Sequence, residues 1–193
     1  MSYINQMKTI TAVALLALGA MSCSSELTDS AAPVELVVTN TQTLSVLDIN
    51  PPVGDTSCAQ PGGTINMQVI RKSSTSEADT SFLAVRVTRY RVSYRRTDGG
   101  TLVPAPFVRS LDTLIQPGGT EGSNFTILEL GAFSLAPFAA LQPQNGGRDA
   151  ETGRPFIRME VFVEVFGETL AGDNVADSTS FPLEFCYGCG GCR

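Results

Sequence analysis

Short stretches in which apolar and polar residues alternate recur along the chain, separated by clusters of glycine, proline, asparagine and aspartate. Period-two runs of this kind predict strands with one buried and one wet face. Residues 34–39 and 44–49 are the first two, the second ended by Asn50-Pro51-Pro52. Gly62-Gly63 releases a third, 64–71, where Ile65, Met67 and Val69 alternate with polar partners; 73–80 is a polar loop. The longest signal covers 82–97. Leu83, Val85 and Val87 share one parity and Tyr90, Val92 and Tyr94 the other, so the run contains a bulge near Thr88-Arg89 or bends between two sheets. Asp98-Gly99-Gly100 supplies a turn. The stretch 103–115 carries Pro104 and Pro106 and suits an edge strand. After the turn at Pro117-Gly118-Gly119, residues 125–130 read as a further strand. Ile157, Met159, Val161, Val163 and Val165 alternate strictly, a loop turns the chain between Gly167 and Asp173, and 178–185 places Phe181, Leu183 and Phe185 on one face. No amphipathic helix follows the first thirty residues; 131–141 holds at most a turn or two. About seven strands at this spacing predict an all-β, two-sheet sandwich.

The strand order over about residues 60–185 resembles that of immunoglobulin and fibronectin type III domains. In that likeness Tyr90-Arg91-Val92-Ser93-Tyr94 lies on the third core strand, and 156–166 and 181–185 are the last two. The resemblance is one of pattern. The core tryptophan common to those families is absent, and the stretch 131–155 is far longer than the usual loop at that place.

The first residues follow a different rule. Lys8 precedes an almost uncharged run from Thr9 to Met21 with Val13, Leu15, Leu16 and Leu18, the layout of a secretory signal. It is short for a membrane span, which needs about 20 apolar residues. Its end, Leu18-Gly19-Ala20-Met21-Ser22-Cys23, resembles the lipobox of bacterial lipoprotein signals. That resemblance implies cleavage before Cys23, acylation of Cys23, and, with Ser24 following, delivery to the outer membrane of the cell envelope. The expected organisation is a signal peptide over 1–22, a polar tether over 23–33, a sandwich over 34–185 and a Cys/Gly-rich tail over 186–193. The competing expectation is an ordinary secreted chain cut near Ala20.

Removing 1–22 leaves 171 residues with 12 basic and 19 acidic side chains, a net charge of −7. Such a balance disfavours nucleic acid as a partner. Histidine is absent, which excludes histidine triads and imidazole metal sites and removes the commonest general base. No phosphate-binding loop, paired-carboxylate motif or nucleophile elbow is present, and no cofactor is implied.

Beyond Cys23 stand Cys58, Cys186, Cys189 and Cys192. An even count in an oxidising compartment predicts two disulfides, with no metal. Three tail cysteines cannot pair among themselves without a remainder, so Cys58 is expected to bond to the tail, closing a loop of more than 120 residues. Such a closure contributes about 4–5 kcal/mol in the chain-entropy model. All three connectivities remain open. A four-thiolate metal site on Cys186-x-x-Cys189-x-x-Cys192 is the alternative.

Two surfaces offer themselves for binding. Arg89, Arg91 and Arg95 share a solvent face, and Arg158, Glu160 and Glu164 share that of the expected neighbour strand. This predicts a cross-strand charge ladder; a site for an anionic sugar or lipid headgroup is the functional alternative. The apolar insertion around Phe133, Leu135 and Phe138 is expected chiefly to cover an open end of the sandwich, with a partner surface as the alternative. Gly172-Asp173-Asn174 and Asp177 read as turn residues rather than a calcium loop. Together these features predict a non-enzymatic, lipid-anchored module that binds or braces another envelope component. A carbohydrate- or surface-polymer-binding module is the alternative, and a hydrolase ranks last.

Overall fold

The alternating stretches become eight strands in a computed structural model of the chain, which describes residues 32–41, 44–50, 62–73 and 80–190. They are β1 (Val34–Asn40), β2 (Val46–Asp48), β3 (Gly62–Arg71), β4 (Val85–Arg96), β5 (Phe107–Ile115), β6 (Thr120–Thr126), β7 (Phe156–Thr169) and β8 (Asn174–Cys186). The signal segment 1–22, Cys23 with nearly all of its tether, Cys58 and Cys192 lie outside the described residues.

The strands form an all-β sandwich of two sheets, one ordered β1-β3-β6 and the other β2-β8-β7-β4-β5. Every pairing is antiparallel except β2 with β8. β4, β7 and β8 lie side by side, so the two long strands expected to be neighbours are neighbours. They form three adjacent strands of the five-stranded sheet. The inward faces supply the core: Ile65, Met67 and Val69 from β3 meet Ile157, Met159, Val161, Val163 and Val165 from β7, all with no exposed surface. Each such side chain contributes roughly 1.5–3 kcal/mol by leaving water. In a chain without tryptophan the large core spaces go to rings. Tyr90, Phe125 and Phe181 meet edge to face at centroid distances of 6.1 Å.

The parity change on the longest strand is a bulge, since the register of β4 shifts between Val87 and Arg89 against both β5 and β7. Several boundaries differ from the alternation. The prolines delay β5 to Phe107, and β5 is an edge strand. The strand expected at 125–130 is instead Thr120–Thr126, because Ile127 and Leu128 turn inward as buried loop residues. Gly167, expected in a turn, continues β7. A Cβ there would stand 2.9 Å from Val85 Cγ1 and 3.0 Å from the Arg86 carbonyl oxygen, so glycine allows β4 and β7 to close together. The chain turns at Leu170–Gly172 instead, with Gly172 at positive φ.

The insertion between β6 and β7 carries three 3-10 turns, Leu130–Ser134, Phe138–Leu141 and Pro143–Asn145. Phe138 and Leu141 fall into the core. The Phe138 ring lies 4.7 Å from that of Phe185 on β8 and 6.4 Å from that of Phe133. The insertion therefore closes the end of the sandwich where β7 begins and β8 ends. β1 starts at the other end, beside the β7–β8 turn. Along it the Val38 N–H donates to the Asp177 carboxylate of β8 at 2.6 Å.

Candidate functional site

The closed end is organised by one residue that alternation assigns to the core. Arg96 shares the inward parity of Tyr90, Val92 and Tyr94, and its side chain is 1% exposed. Its Nε and Nη2 donate to the two Asp98 oxygens at 2.7 and 3.0 Å, and Nη2 also donates to Asp149 Oδ2 at 2.7 Å. Nη1 reaches the Leu102 carbonyl oxygen at 3.3 Å and Glu151 Oε2 at 3.5 Å. Each carboxylate is committed further. Asp98 accepts from the Gly100 and Arg158 backbone N–H groups, and Asp149 accepts from the Thr152 N–H and hydroxyl. Glu151 accepts from the Thr101 hydroxyl and the Thr101 and Leu102 N–H groups. A buried arginine is tolerable only with such partners. Burial pushes the Asp98 carboxyl up, but the Arg96 guanidinium and two backbone N–H groups outweigh it, holding the pKa down at about 2. Asp149 is lowered likewise: burial opposes ionisation, and Arg96 and Thr152 overcome it. Gly100 is required here, because a Cβ would run into the Arg96 guanidinium. The cluster pins the insertion, through Asp149 and Glu151, to the end of β4.

Over it lies a shallow cleft of about 260 Å³ lined by Leu102, Pro137, Ala139, Ala140, Asn145 and Asp149. Around it Leu102, Val103 and Leu135 are 47%, 38% and 63% exposed, an apolar rim at one end of the molecule. Of the insertion residues expected to offer a partner surface, Leu135 is on the surface and Phe133 is half-buried. Phe138 is fully buried and takes no part in any surface, because its ring fills the space against Phe185.

The outer face of the five-stranded sheet differs from the expected ladder. Arg91 stands opposite Glu164 in register and its Nη1 lies 3.9 Å from Oε2. Arg95 stands opposite Glu160, but Glu160 accepts from the Ser180 hydroxyl, and the Arg95 guanidinium lies 5.2 Å from the centre of the Phe162 ring. Arg89 lies 4.8 Å over Phe166, and Arg158 both 4.8 Å over Phe156 and 2.8 Å from Glu184. One rung of the ladder forms. The other arginines are laid over outward phenylalanines, which the alternating reading of β7 overlooked because it followed only the inward residues.

The tail shows a third arrangement. Cys186 and Cys189 form a disulfide with Cα atoms 5.9 Å apart. Asp48, buried on β2, accepts from the Gly188 N–H at 2.8 Å, the Gly190 N–H at 3.1 Å and the Asn50 N–H at 2.9 Å. Register explains this, since the parallel pairing sets Asp48 beside Cys186. A lone aspartate at the end of a short apolar stretch gave no sign of it. Asp173 and Thr169 bond to each other across the β7–β8 turn, and Asp177 caps β1, as turn and edge residues do. Among the described residues no group of three or more Cys, Asp and Glu side chains is gathered as a metal would require.

No protein-family model matches the sequence, and no curated protein matches it.

Proposed function

We propose that this chain is a lipid-anchored protein of the bacterial cell envelope, carried at Cys23 in the outer membrane, whose β-sandwich acts by binding another envelope component rather than by catalysis. One observation supports this most. The chain enters the sandwich at β1, at the end opposite the cleft, so the apolar rim of Leu102, Val103 and Leu135 lies at the end of the domain away from where the segment that follows Cys23 joins it. The eleven residues from Cys23 to Val34 reach roughly 36–40 Å at full extension, ample separation for a partner to approach. The absence of histidine and of catalytic motifs supports a binding role.

Intact mass of the protein from its native membrane tests the anchor. The expected result is a chain beginning at Cys23 with acyl groups, gaining about four daltons on reduction of two disulfides. An unlipidated mass overturns it. Photo-crosslinkers at two exposed apolar positions test the rim: Leu135 on it, and Phe82, whose carbonyl accepts from Ala171 at the opposite end. A crosslinked partner from Leu135 and none from Phe82 is expected; equal yields overturn the rim.

A second reading, a module for an acidic surface polymer, draws on the outer face. Arg89 over Phe166 and Arg95 over Phe162 are exposed and make no ion pair among the described residues, which places two cations on a sheet face with aromatic support. A glycan array tests it: retention of acidic glycans that Arg89→Ala and Arg95→Ala remove supports it, and an array without binding ends it.

A further inference from the structure

Eight large apolar side chains stand exposed among the described residues, and they fall into places. Leu102, Val103 and Leu135 form the rim at the closed end, and Val108 lies on the outer face beside Arg91. The other four, Phe82, Leu170, Leu114 and Ile70, are all at the opposite end, with Phe82 59% and Leu170 53% exposed. Backbone pairing puts them there. The Leu170 N–H donates to the Ala84 carbonyl oxygen and the Ala171 N–H to that of Phe82, so the turn after β7 lies against the 3-10 turn Thr80–Leu83. Leu114 stands opposite Arg86, one residue inside the start of β4, and Ile70 opposite Glu35, one residue inside the start of β1. The segment that follows Cys23 joins the domain at this same end, where the Lys72 N–H donates to the Pro33 carbonyl oxygen at 3.1 Å just before β1.

We propose that this end rests in the interface of the lipid bilayer, with Phe82 and Leu170 inserted at the boundary between headgroups and acyl chains. The inference rests on acylation of Cys23. An anchor eleven residues before Val34 holds this end of the domain at high effective concentration beside the bilayer, where a few apolar side chains suffice for contact. Phe82 and Leu170 are carried by the tips of two turns, and a tip suits lipid better than protein. A stable protein contact buries about 800 Å² on each partner against a complementary surface. A bilayer interface instead accepts apolar side chains to a depth of roughly 5–10 Å without a matching shape. Charge does not select the lipid, because Arg71, Lys72 and Arg86 stand among Glu35, Asp112 and Glu168. A zwitterionic bilayer is therefore enough.

The chain contains no tryptophan, so a single introduced one reports on its own position. The full-length chain from its native membrane, its acyl groups verified by intact mass, is reconstituted in phosphatidylcholine vesicles with brominated acyl chains. Phe82→Trp is expected to lose at least half of its emission relative to unbrominated vesicles, and Leu135→Trp, on the far rim, to keep nearly all of it. Both side chains are exposed, so neither change burdens the fold. Adding Leu170→Asp to Phe82→Trp should reduce the quenching at least two-fold. Equal quenching at the two tryptophan positions, or none for Phe82→Trp in an acylated chain, overturns the contact and leaves the anchor standing. A mass without acyl groups removes the anchor and the contact with it. A protein crosslinked through Phe82 in the native membrane, a second copy of this chain included, also overturns the contact, since lipid then does not cover this end.

Discussion

Arg91 and Arg96 lie five residues apart on β4 and carry the same charge, yet they belong to different physical regimes. The Arg91 side chain is 51% exposed and stands 3.9 Å from Glu164 across the outer face. Arg96 is buried among Asp98, Asp149 and Glu151, every hydrogen-bonding direction of its guanidinium filled. Water screens the first pair, so its formation or loss changes little. The second cluster has no water to fall back on, and removing one member strands the rest. Strand parity alone separates the two. A charge on the outer parity reads as surface, whereas a charge on the inner parity must be part of a satisfied network or the strand cannot form.

The largest expected effect breaks that contrast at its centre. Arg96→Ala should cost about 3–5 kcal/mol in denaturant unfolding, because Asp98 and Asp149 are left buried without their cation. A loss below about 1 kcal/mol would show that the cluster is hydrated. Phe138→Ala, which opens a cavity against Phe185 in the same closed end, should cost about 3–5 kcal/mol in the same measurement. An unchanged unfolding midpoint would mean that the insertion does not pack as a plug.

Acid probes the difference more gently. Asp98 has a pKa lowered to about 2 from an ordinary 3.8, since Arg96 and backbone donors outweigh the effect of burial. A depressed carboxyl stabilises the fold above its unfolded value and loses that contribution as pH falls through its folded value. The unfolding free energy should therefore be level from neutrality to about pH 4 and drop by roughly 2 kcal/mol between there and pH 2 from this group. Asp149 acts in the same direction. In Asp98→Asn this part of the drop should vanish; an identical acid limb would locate the sensitivity elsewhere. Asp48→Asn tests whether the carboxylate that meets the tail serves the same ordering purpose. It should cost about 1–2 kcal/mol and speed reduction of the Cys186–Cys189 disulfide, as an amide keeps one oxygen acceptor and sets an NH2 donor against the other of the Gly188 and Gly190 N–H groups. At the bottom of the scale, Arg91→Ala should change stability by less than about 0.5 kcal/mol; a larger loss would mean that the outer face is structurally coupled.

The strands themselves were legible because alternation is imposed by the pleat. Ile157 to Val165, Phe181 to Phe185 and the parity change on β4 could be read without coordinates, and the bulge falls where the parity switches. Arg96 was equally legible in parity, since it continues the inward series from Tyr90, Val92 and Tyr94. The outward phenylalanines Phe156, Phe162 and Phe166 were missed because an aromatic residue on the wet parity has no place in a simple in–out pattern. The partners of these residues were not legible. Asp149 reaches Arg96 from 53 positions away, and Asp48 meets the tail from 140 and 142 positions away.

The amino-acid sequence by itself determined the all-β class, the edge position of the proline-flanked strand, and which residues of each long strand turn inward, all consequences of local sterics and a two-residue period. Tertiary structure alone decided that Phe138 is core while Leu135 is rim, that Cys186 bonds to Cys189, that Asp48 holds the tail, and that only one of the expected cross-strand charge pairs forms. Those outcomes depend on which distant segments meet at one end of the sandwich. No local pattern encodes the meeting, because the free energy that selects it belongs to pairs of segments and not to either one alone.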